Sequence, residues 1–222
     1  MTTDPWASYR AMLGEAVRRA IADDHLSHAE VLRQQVEADA GFDDLAPLLC
    51  LRLADAVCGN PEAALTPATS LALLSQMARV FLSLESQGGA PSLSTAWGMP
   101  RVLNAGAAFY ALAEDTMLVT HDELPAAKRL RAVDSLDVAV RGYIEALHAA
   151  SEAEQLSAGQ QALIPVAATL AGVYTNADDD TAIHLQRFAE SLHGTDAGAI
   201  EAGLAELKQA LSAQRGSAAH RS

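Results

Sequence analysis

Long apolar or amphipathic stretches alternate along the chain with short polar segments that contain proline or glycine. Because proline and glycine interrupt helices, these segments mark the expected helix boundaries. The pattern predicts nine helices, over Pro5–Ala22, Ser27–Ala38, Leu45–Cys58, Pro67–Leu84, Thr95–Val119, 126–153, Ala158–Tyr174, Asp180–Leu192 and Ala197–Ala213. Neither a repeat nor a linker separates them, so we expect one domain over residues 1–222, with a frayed tail at 214–222.

Several predicted boundaries carry residues that favour the start or end of a helix. Asp4-Pro5 has the order preferred at a helix start, and Gly59 follows the third helix. The helix over Thr95–Val119 is expected to be broken or kinked near Pro100, and Pro165 marks an expected kink in the helix over Ala158–Tyr174. The helix over Pro67–Leu84 is apolar nearly all round, which is typical of a central helix surrounded by others.

The composition strengthens the helical interpretation. The chain has 47 Ala and 30 Leu but only 12 Val and 5 Ile; Ala and Leu favour helices, whereas β-branched residues favour sheets. We therefore expect an all-α protein. The net charge of −13 disfavours nucleic-acid binding, and no apolar run is long enough for a membrane span. The N-terminal MTTDPW lacks the layout of a signal peptide, so we expect a soluble, cytoplasmic protein.

The cysteines and paired histidines favour structural roles. Cys50 and Cys58 lie on one predicted helix, roughly 12 Å apart along its axis. That separation is too large for a disulfide, so we expect buried, reduced thiols. His25 and His28 have the i,i+3 spacing of a metal pair, but they lie at an acidic helix start, where a solvated cap is favoured.

Three consecutive aspartates, Asp178, Asp179 and Asp180, resemble a magnesium-binding run, since hard cations prefer clustered carboxylates. They also stand at a predicted helix N-terminus, where the helix dipole favours acidic residues, and we expect capping. The sequence has no Ser/His/Asp order, glycine-rich phosphate loop or zinc pattern. Taken without analogy, the residues indicate no active site.

A series of short motifs is similar to one known family. The motifs are Gly88-Gly89-Ala90-Pro91, Trp97-Gly98-Met99-Pro100, Asn104-Ala105-Gly106, Phe109-Tyr110-Ala111-Leu112-Ala113, Leu45 through Gly59, Leu170–Asp178 and Arg187-Phe188-Ala189. In this order and spacing they resemble the trans-isoprenyl diphosphate (polyprenyl) synthases, over about residues 6 to 193. The resemblance implies an isoprenoid-synthase-like helical bundle around a central apolar cavity, shortened at its C-terminal end.

The family's chemistry depends on charged ligands that this chain lacks. Members bind an allylic diphosphate through magnesium ions held by two D-D-x-x-D motifs, and basic residues hold isopentenyl diphosphate. Departure of a diphosphate needs its charge neutralised by such groups. The corresponding positions here are Asp43, Asp44 and Ala46 for the basic motif, Ala78, Arg79 and Leu82 for the first aspartate motif, Gln87-Gly88, Ala107, Gln160 and Gln161, and Ala146 to Ala150.

The resemblance therefore implies a scaffold without catalytic, cofactor-binding or metal-binding residues. The helix expected to carry the second aspartate motif stops at Leu192-His193-Gly194, before the motif begins. Arg79 has two interpretations, direct binding of a diphosphate or an ion pair with Asp43 and Asp44, and the ion pair is favoured. Magnesium is expected of the family, but no cofactor is expected here.

Three functional hypotheses follow from the resemblance. The first is an interaction subunit that pairs with itself or with an active polyprenyl synthase through Thr95–Val119, with Trp97, Phe109 and Tyr110 as anchors or, alternatively, as intramolecular core. The second is a module that binds an isoprenoid or other lipid in the apolar cavity, lined by Leu73, Leu74, Met77, Phe81 and Phe109. The third is a divergent prenyltransferase with altered chemistry. A structural homodimer without a ligand is a further alternative.

Overall fold

A computed structural model gives the fold of the chain. It describes residues 4–23, 29–38, 42–85, 97–119, 124–146, 152–192 and 197–219. The pair His25 and His28, the motif at residues 87–91 and residues 147–150 lie outside the described residues.

The described residues form nine α-helices and one 3₁₀ turn. The helices are α1 (Ala7–Asp23), α2 (Ala29–Ala38), α3 (Leu45–Cys58), α4 (Leu65–Glu85), α5 (Met99–Val119), α6 (Ala126–Ala146), α7 (Glu152–Tyr174), α8 (Asp179–Glu190) and α9 (Ala197–Ala219), and the 3₁₀ turn is Pro61–Ala64. The all-α prediction is confirmed.

Helix α4 lies at the centre of the bundle. It packs against α1, α3, α5, α6 and α7, and its residues Leu71, Leu73 and Leu74 are fully buried. This position explains why the helix is apolar on nearly every side, since each side contacts another helix. The other extensive contacts join α3 to α7 and α6 to α7. Buried apolar residues from α1 to α9 belong to a single core cluster.

Two predicted helix boundaries are confirmed in detail. Gly59 ends α3 in the left-handed conformation, with φ of 71°, which glycine adopts without steric cost. Asp178 caps α8: its Oδ1 accepts a hydrogen bond from the backbone N–H of Thr181 at 2.8 Å. Hydrogen bonds from the side chain and the backbone of Thr181 hold the pKa of Asp178 below its usual value. The three-aspartate run thus begins with a cap, as the sequence indicated.

The predicted break near Pro100 is confirmed: Gly98, with a φ of 79°, is not helical and lies between the helical Trp97 and the start of α5 at Met99. Pro100 itself lies in the first turn of α5, where proline is tolerated. Pro165 lies inside α7.

The sixth helix, predicted to end near Ala153, is described as far as Ala146, and residues 147–151 lie outside the described residues. Two other predicted boundaries were wrong. Helix α7 begins at Glu152, six residues before the predicted Ala158. The last helix continues to Ala219, past the predicted Ala213.

The two cysteines differ in environment. Both are free thiols, and Cys50 is buried as expected, but Cys58 is exposed. The difference arises because Cys58 is the last residue of α3, where the helix leaves the core. Burial raises the pKa of the Cys50 thiol well above its usual value. None of the described helices has the length and apolar character needed to cross a membrane.

Candidate functional site

Three residues that are distant in sequence meet at the carboxylate of Asp44. Arg79 near the end of α4 places Nη2 2.5 Å from Oδ1 of Asp44. Gln160 in the first half of α7 donates to the same oxygen through Nε2, also at 2.5 Å. The Asp44 side chain is only 7% exposed and that of Arg79 is 22% exposed. We call Asp44, Arg79 and Gln160 the buried polar cluster.

The short segment Phe42–Asp44 positions this carboxylate. Phe42 has a φ of 47°, a left-handed backbone conformation that bulky residues rarely adopt. Its ring packs on Gly14 of α1, where a Cβ atom would lie 3.0 Å from Cε2 of Phe42. Asp43 pairs with Nε of Arg10 at 2.5 Å, and Arg10 also pairs with Asp4. Each residue of the segment therefore has its own contact. Asp43 pairs with Arg10, whereas Asp44 pairs with Arg79.

At two positions the cluster carries a charge opposite to the one that the resemblance implies. Asp44 stands where a cation is expected, and Arg79 stands where a metal-binding carboxylate is expected. The pair neutralises itself inside the protein, which is how charged groups are tolerated at low exposure. Arg79 thus forms the expected ion pair, with Asp44 but not with Asp43.

The remaining described positions supply no carboxylate for magnesium. Ala46, Ala78 and Leu82 are buried apolar residues. Gln161 is half-buried, and its Oε1 atom has no hydrogen-bond partner among the described residues. In the part of the chain that the structure describes, no group of three or more His, Cys, Asp or Glu residues is placed to hold a metal ion. The residues at these positions therefore do not fit a magnesium–diphosphate complex, whose metals require oxygen ligands.

Neutral polar groups next to the cluster were not identified from the sequence. Tyr143 on α6 lies with its hydroxyl 3.4 Å from Oγ of Ser75 on α4 and is 3% exposed. Burial, reinforced by the negative charge of Asp44, raises the pKa of Tyr143 to about 12. Gln35 donates to Gln76 at 3.3 Å in the buried interior. A single polar residue on an apolar helix has no spacing pattern that predicts its partner. The packing of the helices determines which of these residues meet.

An apolar cavity of about 310 Å³ lies beside the cluster, between α4, α5 and α6. Its lining residues are Met77, Ala78, Phe81, Ala107, Tyr110, Val140, Tyr143 and Ile144. Of the five residues predicted to line a cavity, Met77 and Phe81 do so. Leu73, Leu74 and Phe109 do not line this cavity and are fully buried. Helix α4 is enclosed by other helices and is apolar on nearly every side. Its sequence pattern therefore does not show which apolar residues line the cavity and which belong to the core.

Of the two interpretations of the aromatic residues Trp97, Phe109 and Tyr110, interface anchor or intramolecular core, the packing favours core for Phe109. Phe109 is fully buried within the chain and therefore unavailable to a second subunit. Tyr110 is half-buried and donates to Glu114 at 2.7 Å, and Trp97 packs partly buried against the core. The exposed large apolar residues of α5 and α6 are instead Met99, Leu103, Leu118, Leu130, Val138 and Ile144. We call these six residues the α5–α6 apolar face.

Comparisons with known proteins give different results for the sequence and for the structure. A scan against models of protein families and a search of curated proteins find no match for the sequence. The structure, in contrast, is similar to several solved structures. A geranylgeranyl pyrophosphate synthetase from the archaeon Geoglobus acetivorans matches with a TM-score of 0.67 and 18% identity, over 83% of this chain. The match spans 64% of that protein, so the chain covers less than two thirds of its length.

Two other similar structures are closer in length. The geranyl diphosphate synthase small subunit from Antirrhinum majus matches with a TM-score of 0.65 and 20% identity, over 94% of this chain and 93% of that one. An FPP/GFPP synthase from Zymomonas mobilis matches with a TM-score of 0.62 and 15% identity, over 94% and 90%. The chain therefore has the all-α fold of the isoprenyl diphosphate synthases.

Proposed function

We propose that this chain is a non-catalytic member of the isoprenyl diphosphate synthase family that acts as a subunit of an active synthase. The observation that carries the proposal is the ion pair between Asp44 and Arg79. Asp44 is a carboxylate at a position where the resemblance implies a diphosphate-binding cation. It pairs with Arg79, the cation at the position of the first aspartate motif.

The chemistry of diphosphate departure supports this proposal. That reaction requires cations or metal ions to take up the negative charge of the leaving group. A diphosphate approaching Arg79 would meet the Asp44 carboxylate, and displacing the pair would leave a buried charge without its partner, which costs several kcal/mol. Ala78 and Leu82 contribute no oxygen to a metal. The chain by itself therefore lacks the groups that ionise an allylic diphosphate.

The α5–α6 apolar face supports a role as a subunit. Seven large apolar residues are exposed in the described part of the chain, and six of them lie on these two neighbouring helices. Contiguous apolar exposure is typical of protein contact surfaces, and we propose that these six residues form one such surface. The match to a protein named as a synthase small subunit agrees with this role. A synthase also matches over a similar share of both chains, so chain length does not distinguish a subunit from a synthase. The buried polar cluster is the stronger support for a non-catalytic subunit.

Co-purification with an intact synthase tests the proposal. The tagged chain is expressed together with an intact isoprenyl diphosphate synthase of the same organism, and the purified complex is assayed for product chain length. We expect a stable complex with a product distribution that differs from that of the synthase alone. If the two proteins elute separately and the products are unchanged, the chain is not a synthase subunit.

A further inference from the structure

A cavity of about 200 Å³ lies where α6 and α8 pack against the second half of α7. We call it the second cavity. Small residues of all three helices make the space, among them Ala127 of α6, Gly172 of α7 and Ala182 of α8. Among the described residues, it shares no lining residue with the apolar cavity between α4, α5 and α6. Gly172 is twelve residues after Gln160 on α7, roughly 18 Å along the helix axis, so the second cavity is also separate from the buried polar cluster.

Charged side chains of both signs line the second cavity. Lys128 and Arg131 line it from α6, and Asp179 lines it from the first turn of α8. Nζ of Lys128 donates to Oδ1 of Asn176, an uncharged acceptor that does not neutralise the positive charge. Among the residues that the structure describes, neither Arg131 nor Asp179 forms an ion pair. The cavity therefore has positive charge on its α6 side and negative charge on its α8 side, and the two are not paired with each other.

The side chain of Gln186 adds a hydrogen-bond acceptor to the α8 side of the second cavity. Its Nε2 donates to the backbone oxygen of Pro165 at 3.1 Å and to Oγ1 of Thr169. The hydroxyl of Thr169 also donates to the oxygen of Pro165, at 3.2 Å. The hydrogens of both side chains are thus used within the protein, so Gln186 acts towards a ligand as an acceptor through Oε1. Donors for a ligand therefore come from α6 and acceptors from α8.

This arrangement of charges matches a small molecule that carries both signs. A ligand with only a negative charge would be attracted by α6 and repelled by Asp179, and a ligand with only a positive charge would meet the reverse. A zwitterion satisfies both sides, because its carboxylate accepts charge-assisted hydrogen bonds from a guanidinium and its ammonium donates up to three. At about 30 Å³ for a water-sized group, the volume accommodates on the order of seven non-hydrogen atoms, which is the size of alanine or serine.

We propose that the second cavity binds a small free amino acid in its zwitterionic form, with the carboxylate on Lys128 and Arg131 and the ammonium on Asp179. This ligand class is unrelated to the diphosphates and prenyl chains that the resemblance implies. The proposal rests on the second cavity alone and not on the proposed function as a synthase subunit.

Calorimetric titration of the purified chain with L-alanine and L-serine tests this proposal. We expect saturable binding of one molecule per chain for at least one of them, with a saturable rise in Tm, since a ligand of the native state stabilises it. Propionate, which lacks the ammonium, and L-alaninamide, which lacks the carboxylate, should each bind about tenfold or more weakly than the amino acid. If neither amino acid gives saturable heat, or if propionate or L-alaninamide binds as tightly, the proposal is wrong.

Two arginines of α6 provide a matched pair of variants. Arg131 lines the second cavity, whereas Arg129 is an exposed arginine of the same helix that does not line it. We expect Arg131→Gln to weaken amino-acid binding by about tenfold or more, because the charge-assisted hydrogen bonds to the carboxylate are lost. Arg129→Gln should bind as the unmodified chain does. Equal affinity of the two variants would show that the ligand binds elsewhere and overturn the proposal.

Two neighbouring aspartates test the α8 side of the second cavity. Asp179 and Asp180 are both exposed in the first turn of α8, and of the two Asp179 lines the cavity. Asp179→Asn should weaken amino-acid binding but not propionate binding, because it removes the partner of the ammonium. Asp180→Asn removes the same charge from the same helix end and should leave both affinities unchanged. If the two variants weaken amino-acid binding equally, the ammonium does not lie on Asp179 and the proposal is wrong.

The titrations use the isolated chain and need no partner protein. A failure of amino-acid binding therefore leaves the subunit test unaffected, and a failure of co-purification leaves the titrations unaffected.

Discussion

The carboxylate of Asp44 is buried, and two side chains donate to one of its oxygens. It occupies the N-cap position of α3, yet its side chain makes no capping bond to that helix. Asp44 is instead bonded to Arg79 and Gln160, which are 35 and 116 residues away. The guanidinium of Arg79 also neutralises the charge of the buried carboxylate, which a backbone N–H cannot do.

Removing one charge of this pair should be more damaging than removing both. We expect Arg79→Met to lower the free energy of unfolding by about 3–5 kcal/mol, because it leaves the buried carboxylate without its cation. The double variant Asp44→Asn/Arg79→Met should recover much of that loss. Urea unfolding measures both values.

A matched control for this pair is Arg19→Met, which breaks an exposed i,i+4 pair with Glu15. Exposed pairs contribute little, about 0–1 kcal/mol. If Arg79→Met costs no more than Arg19→Met, the buried cluster does not stabilise the fold.

Tyr143 should make the protein less stable at alkaline pH. Burial raises its pKa to about 12 in the folded chain from 10.0, so its contribution is fully present below pH 10 and is lost as pH rises towards 12. In this window the folded state holds a proton that the unfolded state has released. The slope is about 1.4 kcal/mol per pH unit.

Urea unfolding of Tyr143→Phe over the same pH range checks this expectation. The variant should show a shallower decline in stability than the unmodified chain, because the phenylalanine does not titrate. If the two declines are equally steep, ionisation of Tyr143 is not linked to unfolding.

The packing of α6 against α7 depends on glycines at which the helices approach closely. A Cβ atom on Gly142 would lie 2.6 Å from Cβ of Ala162, and one on Gly159 would lie 2.4 Å from Cε1 of Tyr143. Real Cβ atoms do not approach so closely, so the helices would have to separate. This contact also fixes the position of Gln160, which is the next residue after Gly159 and belongs to the buried polar cluster.

Two alanine substitutions in α7 should have opposite effects. Gly159→Ala should destabilise the chain by about 1–3 kcal/mol, because overpacking outweighs the gain in helix propensity. Gly172→Ala has only ordinary contacts, the nearest at 3.5 Å to Leu185, and should be neutral or stabilising by up to about 1 kcal/mol. Thermal and urea unfolding measure both. Equal effects would contradict the close approach at Gly159.

The sequence predicted the helices well where a boundary carried its own local signal. Gly59 and Asp178 end and begin helices through conformations and hydrogen bonds that involve only nearby residues. The start of α7 carries no such signal, since alanine and glutamate favour helix on both sides of it, and this boundary was misplaced. Local chemistry therefore determined the predictable boundaries, and packing determined the others.

At the scale of the whole molecule, the buried carboxylate of Asp44 is paired inside the bundle, and six large apolar residues are exposed on α5 and α6. The altered positions and an ion pair of Arg79 were predictable from the sequence, because opposite charges at related positions suggest contact. The role of Gln160 as the second donor was not predictable, nor was the place of Ala78 and Ala107 in the cavity wall. Both roles depend on which sides of four helices face each other, and the spacing of residues along the chain does not determine how helices face each other.

The α5–α6 apolar face should be required for association with a synthase. Leu103→Asp introduces a charge on this face, and we expect it to abolish co-purification with the synthase, because a desolvated charge at an interface is costly. Ile183→Asp on α8 is the matched control, since the two residues are 46% and 47% exposed. If both variants co-purify equally well, or both fail, this face is not the contact surface.

The most direct test of an internally neutralised site is calorimetric titration of the purified chain with magnesium and an allylic diphosphate. An intact isoprenyl diphosphate synthase under the same conditions provides the positive control. We expect no saturable heat and no rise in Tm for this chain, because Arg79 is engaged by Asp44 and no metal-binding carboxylate stands at Ala78 or Leu82. Saturable binding, or formation of a prenyl product by the chain alone, would contradict a non-catalytic role.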